Sequence, residues 1–195
     1  VWLDIIASAC TPDTLGFGSS MGGYAIAHFA DALGLKRGLC ISPQFSVHRE
    51  IVPFEHRWDD HAARIEYRRN DATLKRKGLI WVFYDSRAKD RLHAEMLAET
   101  GPCEMIEIPY GGHPVSFAMR EAGVFTPIID MFIKGQENRN AIVDLIAAIP
   151  DRSPTYHMNK GNMTADPEER ERCYLKGLSI DPKHQDIRQA YGIFL

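Results

Sequence analysis

The sequence predicts an α/β fold, with a mostly parallel sheet flanked by helices, over roughly residues 1–135. Short apolar runs typical of strands alternate with segments of helical periodicity, an order that implies a parallel sheet with helices on both faces. The run Leu79–Tyr84 is continuously apolar, as in a strand buried on both faces of a parallel sheet. A glycine-rich turn, Gly16–Tyr24, joins one predicted strand to a predicted helix.

The first elements lie on either side of this turn. Residues 1–7 predict a helix, and Thr14–Phe17 predicts a short strand. After the turn, apolar residues at spacings i, i+3, i+4 and i+7 indicate one face of a helix that ends at Gly34. These apolar residues are Ile26, Phe29, Ala30 and Leu33.

The next part of the chain is predicted to be a strand, then irregular, then helical. Arg37–Ser42 predicts the strand. Phe45–Trp58 has few periodic apolar positions and should lie at the carboxyl edge of the sheet, either as a lid or substrate-contacting segment or as a plain surface excursion. Asp59–Lys77 predicts a charged helix that ends at Gly78, with a solvated basic stripe. The stripe comprises Arg64, Arg68, Arg69, Lys75, Arg76 and Lys77.

Strands and helices continue to alternate up to residue 134. The buried strand is followed by a helix at His93–Thr100, with Asp90–Glu95 as its N-cap and first turn. Cys103–Ile108 predicts the last strand. Two further helices, Val115–Glu121 and Phe125–Lys134, close the domain.

Residues 136–195 change character and predict a helical extension, so that the chain divides into 1–135 and 136–195. Asn140–Ile149 predicts a short amphipathic helix that a proline stops. Cys173–His184 resembles the second helix and closing turn of a tetratricopeptide repeat, whereas the preceding helix matches poorly and is predicted to be interrupted at Gly161. Because one repeat cannot bury its own face, such a tail implies neighbouring repeats, packing on the first domain, or a protein partner. A generic helical extension is the alternative.

The glycine-rich turn contains Gly18-x-Ser20-x-Gly22, the pattern of a nucleophile elbow, between a strand and a helix. The chain must reverse sharply at Ser20, and the flanking positions approach too closely for a Cβ, which glycine tolerates. Gly18, Gly22 and Gly23 all lack side chains. The following helix directs its first N–H groups and positive dipole end at the serine, so the Met21 N–H would lie beside an oxyanion formed by attack of Ser20.

An acid and then a histidine should follow an elbow in chain order, and both do. Asp85 directly follows the strand 79–84, and Asp90 lies five residues later. His113 lies on a glycine-rich loop after the next strand, where it is well placed to reach a nucleophile at the carboxyl edge of the sheet. Both aspartates stay candidates, with Asp85 first, because each also has a structural explanation at the end of a strand or the start of a helix.

On these residues the sequence resembles the α/β-hydrolase superfamily. The resemblance implies that Ser20 is the nucleophile, that His113 is the general base and acid, and that Asp85 or Asp90 orients His113. It also implies that the Met21 N–H supplies half of the oxyanion hole.

In this superfamily several strands precede the elbow, and a loop among them carries the second oxyanion donor. Here only residues 1–7 and a short connection precede the first strand, and the chain begins with valine. We therefore expect the sequence to begin inside the domain.

The activity that the resemblance implies is that of a serine hydrolase, which cleaves a small-molecule ester or thioester through an acyl-enzyme and needs no metal or organic cofactor. Tyr24, Phe45 and Tyr110 are candidate substrate-binding residues that would equally suit the core. An acyltransferase would use the same residues and pass the acyl group to an alcohol. A third alternative is a non-catalytic scaffold that binds a partner through its tail.

The composition of the chain argues against some classes of partner and of site. The net charge of −3 argues against a nucleic-acid partner, and no window reaches the roughly 18 apolar residues of a membrane-spanning helix. The four cysteines have no paired spacing, which favours buried free thiols in a reducing compartment and predicts a cytoplasmic protein. His56 and His61 do not have the spacing of a zinc site, and the other histidines, His28 and His93 among them, receive no predicted role.

Overall fold

The computed structural model confirms an α/β fold, with an all-parallel sheet flanked by helices and a helical C-terminal region. The chain forms two compact units, which meet in sequence at Glu107 and Ile108. Arg68 and Arg69 of the predicted basic stripe lie outside the described residues. The structure describes residues 2–11, 13–66 and 70–194.

The first unit is built on four parallel strands in the order β1-β2-β3-β4. Because neighbouring strands are parallel and in register, their carboxyl ends lie at one edge of the sheet, where open α/β folds bind ligands. Each predicted strand agrees with the structure to within two residues. The strands are β1 (Leu15–Ser19), β2 (Arg37–Ile41), β3 (Leu79–Tyr84) and β4 (Cys103–Glu107).

Within the described residues of this unit, helices accompany the sheet. Helix α2 begins two residues after the last residue of β1, and its Ile26 packs against the apolar core cluster that includes Cys40, Ile80 and Val82 of the strands. The predicted end of this helix at Gly34 lies five residues beyond its last residue, after a turn in which Gly34 adopts a φ of 69°. The helices are α1 (Trp2–Ala9), α2 (Met21–Phe29), α3 (Asp59–Ala62) and α4 (Asp90–Ala98).

The predicted helix over Asp59–Lys77 is wrong in the described part of that range. Only the four residues of α3 and one 3-10 turn, Asp71–Thr73, are helical there. Asn70 has extended backbone angles, and its side chain accepts a hydrogen bond from the Ala72 N–H at 3.1 Å, which starts a new turn. A charge-rich segment without an apolar stripe has no face that packing would stabilise as a helix.

Arg76 is buried, not part of a solvated stripe. Its guanidinium donates to the carbonyls of Leu97 and Pro102, each at 3.0 Å, and to the hydroxyl of Thr100 at 2.9 Å. These groups lie at and beyond the C-terminal end of α4, where carbonyls lack helical partners. Arg76 therefore has a structural role in capping this helix.

The second unit is helical. It contains α5 (Ser116–Glu121), α6 (Phe125–Lys134), α7 (Arg139–Ile146), α8 (Ile149–Arg152), α9 (Pro154–Met163), α10 (Pro167–Ile180) and α11 (Gln185–Phe194). Glu121 on α5 accepts hydrogen bonds from the hydroxyls of Ser153, at 2.6 Å, and Thr155, at 2.7 Å. Helices on both sides of the predicted division at residue 135 therefore pack within one unit.

Gly161 does not interrupt the helix before the repeat-like segment, because α9 runs through it. A Cβ at Gly161 would lie 2.9 Å from the Tyr174 ring and 3.2 Å from Cys173 Cβ. The glycine thus allows α10 to approach α9 closely. The resemblance of this hairpin to a tetratricopeptide repeat stays a prediction. Across the described part of the chain, we find no helix with the length and apolarity needed to cross a membrane.

Candidate active site

Ser20 is the single residue between β1 and α2, and it has φ 54° and ψ −119°. A positive φ is strained for a side chain other than glycine, at a cost on the order of 1–3 kcal/mol. Hydrogen bonds hold it: the Ser20 N–H donates to the carbonyl of Ile41 at 2.8 Å, and the Ser20 carbonyl accepts from the Tyr24 N–H at 3.0 Å. The sharp reversal predicted from the motif is present.

Two glycines make this reversal sterically feasible. A Cβ at Gly18 would lie 2.2 Å from the carbonyl oxygen of Gly22, and a Cβ at Gly23 would lie 2.9 Å from Pro43 Cβ. Gly22 is different, because open space surrounds the position its own Cβ would take. The close approach therefore constrains Gly18 and Gly23, and it is the Gly22 backbone that constrains Gly18.

Met21 is the first residue of α2. The N–H of a first helical residue has no acceptor inside the helix, and the partial positive charge of the helix end adds to it. Its side chain is 44 % exposed. The structure thus places the predicted oxyanion donor next to the predicted nucleophile, on a rigid element.

Gln44, which has no predicted role, contacts the predicted nucleophile directly. Its side chain is fully buried. The amide Nε2 lies 3.1 Å from Ser20 Oγ, and Oε1 lies 3.4 Å from it. A signal was present in the sequence, because Gln44 follows β2 at the carboxyl edge as Asp85 follows β3.

Two buried histidines hold the residue after Gln44. The Phe45 N–H donates to His93 Nδ1 at 3.0 Å, and His28 Nε2 donates to the Phe45 carbonyl at 2.8 Å. The Phe45 side chain packs in the core cluster. The start of the predicted lid segment, at Phe45, is therefore fixed within the first unit. We propose no substrate contact for the Phe45 ring.

An ionic network, with buried carboxylates and a partly exposed arginine, supports His93. His93 Nε2 donates to Glu55 at 2.9 Å, Arg57 Nε donates to both Glu55 oxygens at 3.0 Å, and Arg57 Nη1 donates to Asp90 at 2.9 Å. Burial would raise the pKa of Glu55, but hydrogen bonds from Arg57 and His93 outweigh it and lower this pKa to about 2. Burial lowers the pKa of His93, against the opposing effect of Glu55, so His93 is held neutral.

The two candidate aspartates have different surroundings. Asp90 is buried and bound to Arg57, and it is the first residue of α4, with Lys89 at the N-cap position. The predicted N-cap role of Asp90 is therefore wrong. Asp85 is fully buried directly after β3, and one of its oxygens accepts the Arg87 N–H at 2.8 Å. Because the guanidinium already neutralises Asp90, Asp85 stays the first candidate for the predicted acid.

Tyr24 supports the loop that contains Phe45, through its contacts with Asp71 and His28. Its hydroxyl donates to buried Asp71 at 3.1 Å, and its ring stacks on His28 at a centroid distance of 4.0 Å. His28 Nδ1 lies 3.5 Å from the same Asp71 oxygen. Tyr24 thus helps to orient the histidine that holds Phe45, and a substrate contact for Tyr24 stays a prediction.

His113 lies in the second unit, six residues after the end of β4, on a loop that α9 supports. Asn159 Nδ2 donates to the Tyr110 carbonyl at 3.0 Å, and the rings of Tyr110 and Tyr156 meet edge to face at 5.6 Å. Tyr110 has a φ of 60°. The C-terminal extension therefore helps to shape the loop that carries the predicted base, and a substrate contact for Tyr110 stays a prediction.

A cavity of about 310 Å³ adjoins His113 within the second unit. Phe117 and Met158 give it apolar wall, and Thr155, Asn159 and Asp186 give it polar wall. Its volume suits a small organic group.

No family model matches this chain, and no curated protein or solved structure shows significant similarity to it. The resemblance to α/β-hydrolases therefore rests on the residues described above.

His56, one of the two histidines considered for a metal site, contacts charged side chains instead. His56 Nδ1 lies 3.5 Å from Asp59 and contacts Arg49, which also pairs with Asp59 at 3.3 Å. Within residues 2–11, 13–66 and 70–194, no group of three or more histidine, cysteine or acidic side chains is arranged to hold a metal ion.

Proposed function

We propose that this protein is a serine hydrolase that cleaves ester or thioester bonds through an acyl-enzyme. The observation that carries the proposal is the backbone of Ser20, a non-glycine residue at positive φ that alone joins the carboxyl end of a parallel strand to the N-terminus of a helix. A strained position that the surrounding structure maintains is characteristic of functional sites. The serine hydroxyl is then presented at the edge where α/β sheets bind ligands.

In the first half of the proposed reaction, Ser20 Oγ attacks the carbonyl carbon of the substrate while a general base accepts the hydroxyl proton. The resemblance to α/β-hydrolases assigns the base to His113, and it assigns to Asp85 the orientation of the imidazole and the stabilisation of its protonated form. The Met21 N–H stabilises the negative charge on the former carbonyl oxygen. Collapse of the tetrahedral intermediate breaks the bond to the alcohol or thiol, which leaves with the proton from His113, and the acyl group stays on Ser20.

In the second half, His113 removes a proton from water, which attacks the acyl-enzyme carbonyl. A second tetrahedral intermediate collapses, Ser20 recovers its proton from His113, and the carboxylic acid leaves. The steps balance without a metal, a redox partner or an organic cofactor.

The hydrolysis of 4-nitrophenyl acetate by the full-length protein tests this proposal. We expect a burst of 4-nitrophenol followed by a slower steady rate, and loss of both in Ser20→Ala. Ser19→Ala is the matched control, because Ser19 precedes the elbow on β1 and has no proposed role. Activity that survives in Ser20→Ala, or its absence from a folded wild-type protein, would contradict the proposal.

An acyltransferase is the second candidate, because a general base that activates water also activates an alcohol. The measurement is the partition of a mass-tagged acyl group between water and added sugar or lipid alcohols. Transfer to an alcohol that exceeds its share by concentration supports the acyltransferase, and transfer to water alone supports the hydrolase.

A cytoplasmic location is also proposed, on the four free cysteines. Burial raises the pKa of Cys40 to about 12 and that of Cys103 to about 11, so both thiols are protonated and unreactive. The helical tail stays a candidate surface for a protein partner. A folded protein that lacks a reactive Ser20 would favour this scaffold function over catalysis.

A further inference from the structure

We propose that the side-chain amide of Gln44 is a second donor of the oxyanion hole, beside the Met21 N–H. This inference rests on the proposed function, because an oxyanion forms only if Ser20 attacks a carbonyl group. Its experiment is therefore designed so that a failure of Gln44 and a failure of Ser20 give different results.

The geometry at Ser20 Oγ supports a donor role for Gln44. The shorter of the two contacts, 3.1 Å, joins Gln44 Nε2 to Ser20 Oγ, so the amide donates and the hydroxyl accepts. Over the longer contact, 3.4 Å, the Ser20 hydroxyl donates to Gln44 Oε1. After attack, the oxyanion is bonded to the same carbon as Oγ, so a donor that faces Oγ also lies near the developing charge.

The backbone of the elbow leaves a need for such a donor. The Ser20 N–H is bonded to the Ile41 carbonyl at 2.8 Å and faces away from this task. That leaves Met21 as the backbone donor of the elbow, whereas oxyanion holes of acyl-transfer enzymes use two or more donors. In α/β-hydrolases the loop that supplies the second donor precedes the elbow in sequence. Gln44 instead follows the elbow, because it comes after β2.

The fixed position of Gln44 suits electrostatic catalysis. Its side chain is fully buried, which strengthens a hydrogen bond to a charge. The next residue, Phe45, is held through its N–H by His93 and through its carbonyl by His28. Two residues before Gln44, the Ser42 N–H donates to the Phe83 carbonyl at 2.7 Å. A donor anchored on both sides needs no reorganisation when the charge develops.

The experiment compares Gln44→Met, which keeps the length of the side chain and removes its N–H donors, with the wild type in the full-length protein. With 4-nitrophenyl acetate we expect kcat to fall by about 10²- to 10³-fold and KM to change by less than about threefold, as for loss of one oxyanion donor. Gln136→Met is the matched control, because Gln136 is exposed. Gln44→Glu, in which a carboxylate replaces the amide, serves if the Met variant does not fold.

A thionoester substrate separates an oxyanion donor from a merely structural residue. Sulfur is a weaker hydrogen-bond acceptor than oxygen, so the wild type should prefer the oxygen ester strongly, and Gln44→Met should lose much of that preference. A folded variant with unchanged kcat, or an unchanged ester-to-thionoester ratio, would overturn the role of Gln44. A wild type whose hydrolysis survives Ser20→Ala would instead overturn the proposed function and this inference with it.

Discussion

The imidazole of His93 accepts a hydrogen bond from the backbone N–H of Phe45 at 3.0 Å, although the two residues are 48 positions apart in sequence. Its other nitrogen donates to Glu55, which binds Arg57, which in turn binds Asp90. A chain of polar groups, of which all but Arg57 are buried, thus fixes the backbone next to the side chain that faces Ser20. Within the first unit, the candidate site and the stability of the fold depend on the same residues.

Replacement of His93 should therefore destabilise the protein. His93→Ala leaves the Phe45 N–H and the Glu55 carboxylate without this partner, and we expect a loss of about 3–5 kcal/mol in the free energy of unfolding. Urea denaturation measures it. Arg91→Ala on the same helix is the control, because the Arg91–Glu95 pair is exposed and should contribute less than about 1 kcal/mol. Similar losses in both variants would contradict the structural role of the network.

The same network predicts that stability decreases as the pH falls. His93 and Glu55 both have lowered pKa values in the folded protein, so the unfolded chain binds more protons in acid. The contribution of His93 is present above pH 6.5 and is lost below it. The contribution of Glu55, about 3 kcal/mol, is present above pH 4.5 and is lost towards pH 2.

Urea titrations at a series of pH values between 7.5 and 4 test this pH dependence. In a folded His93→Gln variant, the decrease between pH 6.5 and 5 should be smaller than in the wild type, because the titrating group is gone. An equal slope in both proteins over that interval would show that His93 is not the group responsible.

Two glycines of the elbow should respond in opposite directions to the same substitution. Gly18→Ala places a Cβ 2.2 Å from the Gly22 carbonyl oxygen, which no side-chain rotation relieves, so we expect it to unfold or lose several kcal/mol. Gly22→Ala enters open space inside α2 and should raise the free energy of unfolding by about 0.5–1 kcal/mol. Thermal unfolding of the two variants measures these changes in stability. A Gly18→Ala protein as stable as the wild type would contradict the elbow geometry.

A pair of isosteric variants tests which of the two aspartates, Asp85 or Asp90, acts as the acid. Asp85→Asn should lower kcat by about 10⁴-fold at near-normal stability, as for loss of the acid that orients a catalytic histidine. Asp90→Asn should mainly lower the free energy of unfolding, because it removes one of the two carboxylates that pair with Arg57. Steady-state kinetics with urea denaturation of both variants gives the assignment, and the reverse pattern would identify Asp90 as the acid.

Asn159 tests whether the C-terminal extension supports the loop that carries His113. Asn159→Ala removes the hydrogen bond to the Tyr110 carbonyl and should lower kcat by about tenfold or more through a less ordered base. The loss in the free energy of unfolding should be only about 1 kcal/mol. Asn140→Ala, at an exposed position of α7, is the control. Equal activity of the two variants would show that α9 does not position this loop.

Much of the fold was predictable because its signals are local. A continuous apolar run such as Leu79–Tyr84 needs burial on both faces, and this requirement located β3. The short apolar segments predicted for the other strands agree with the structure to within two residues. The segment Asp59–Lys77 has no such signal, since charged residues suit a helix and an irregular surface equally. The burial of Arg76 depends on carbonyls of α4 that lie more than 20 residues further along the chain.

The candidate site divides in the same way. The turn at Ser20 and Met21 was predictable because the strand, the turn and the helix around it are contiguous in sequence. The roles of Ser20, Met21 and Asp85 in catalysis stay predictions. The contacts of Gln44 and His28 were not predictable, because each acts on a group far along the chain, Ser20 at 24 positions and Phe45 at 17. Periodicity carries no information on such pairs, and only the fold brings them together.

Covalent labelling of the full-length protein with a fluorophosphonate probe, followed by mass spectrometry of its peptides, tests the central proposal most directly. We expect a single modified serine at position 20, with labelling that Ser20→Ala abolishes and Ser19→Ala leaves in place. A folded wild-type protein that stays unlabelled, or one whose adduct maps to another residue, would contradict the assignment of Ser20 as a nucleophile.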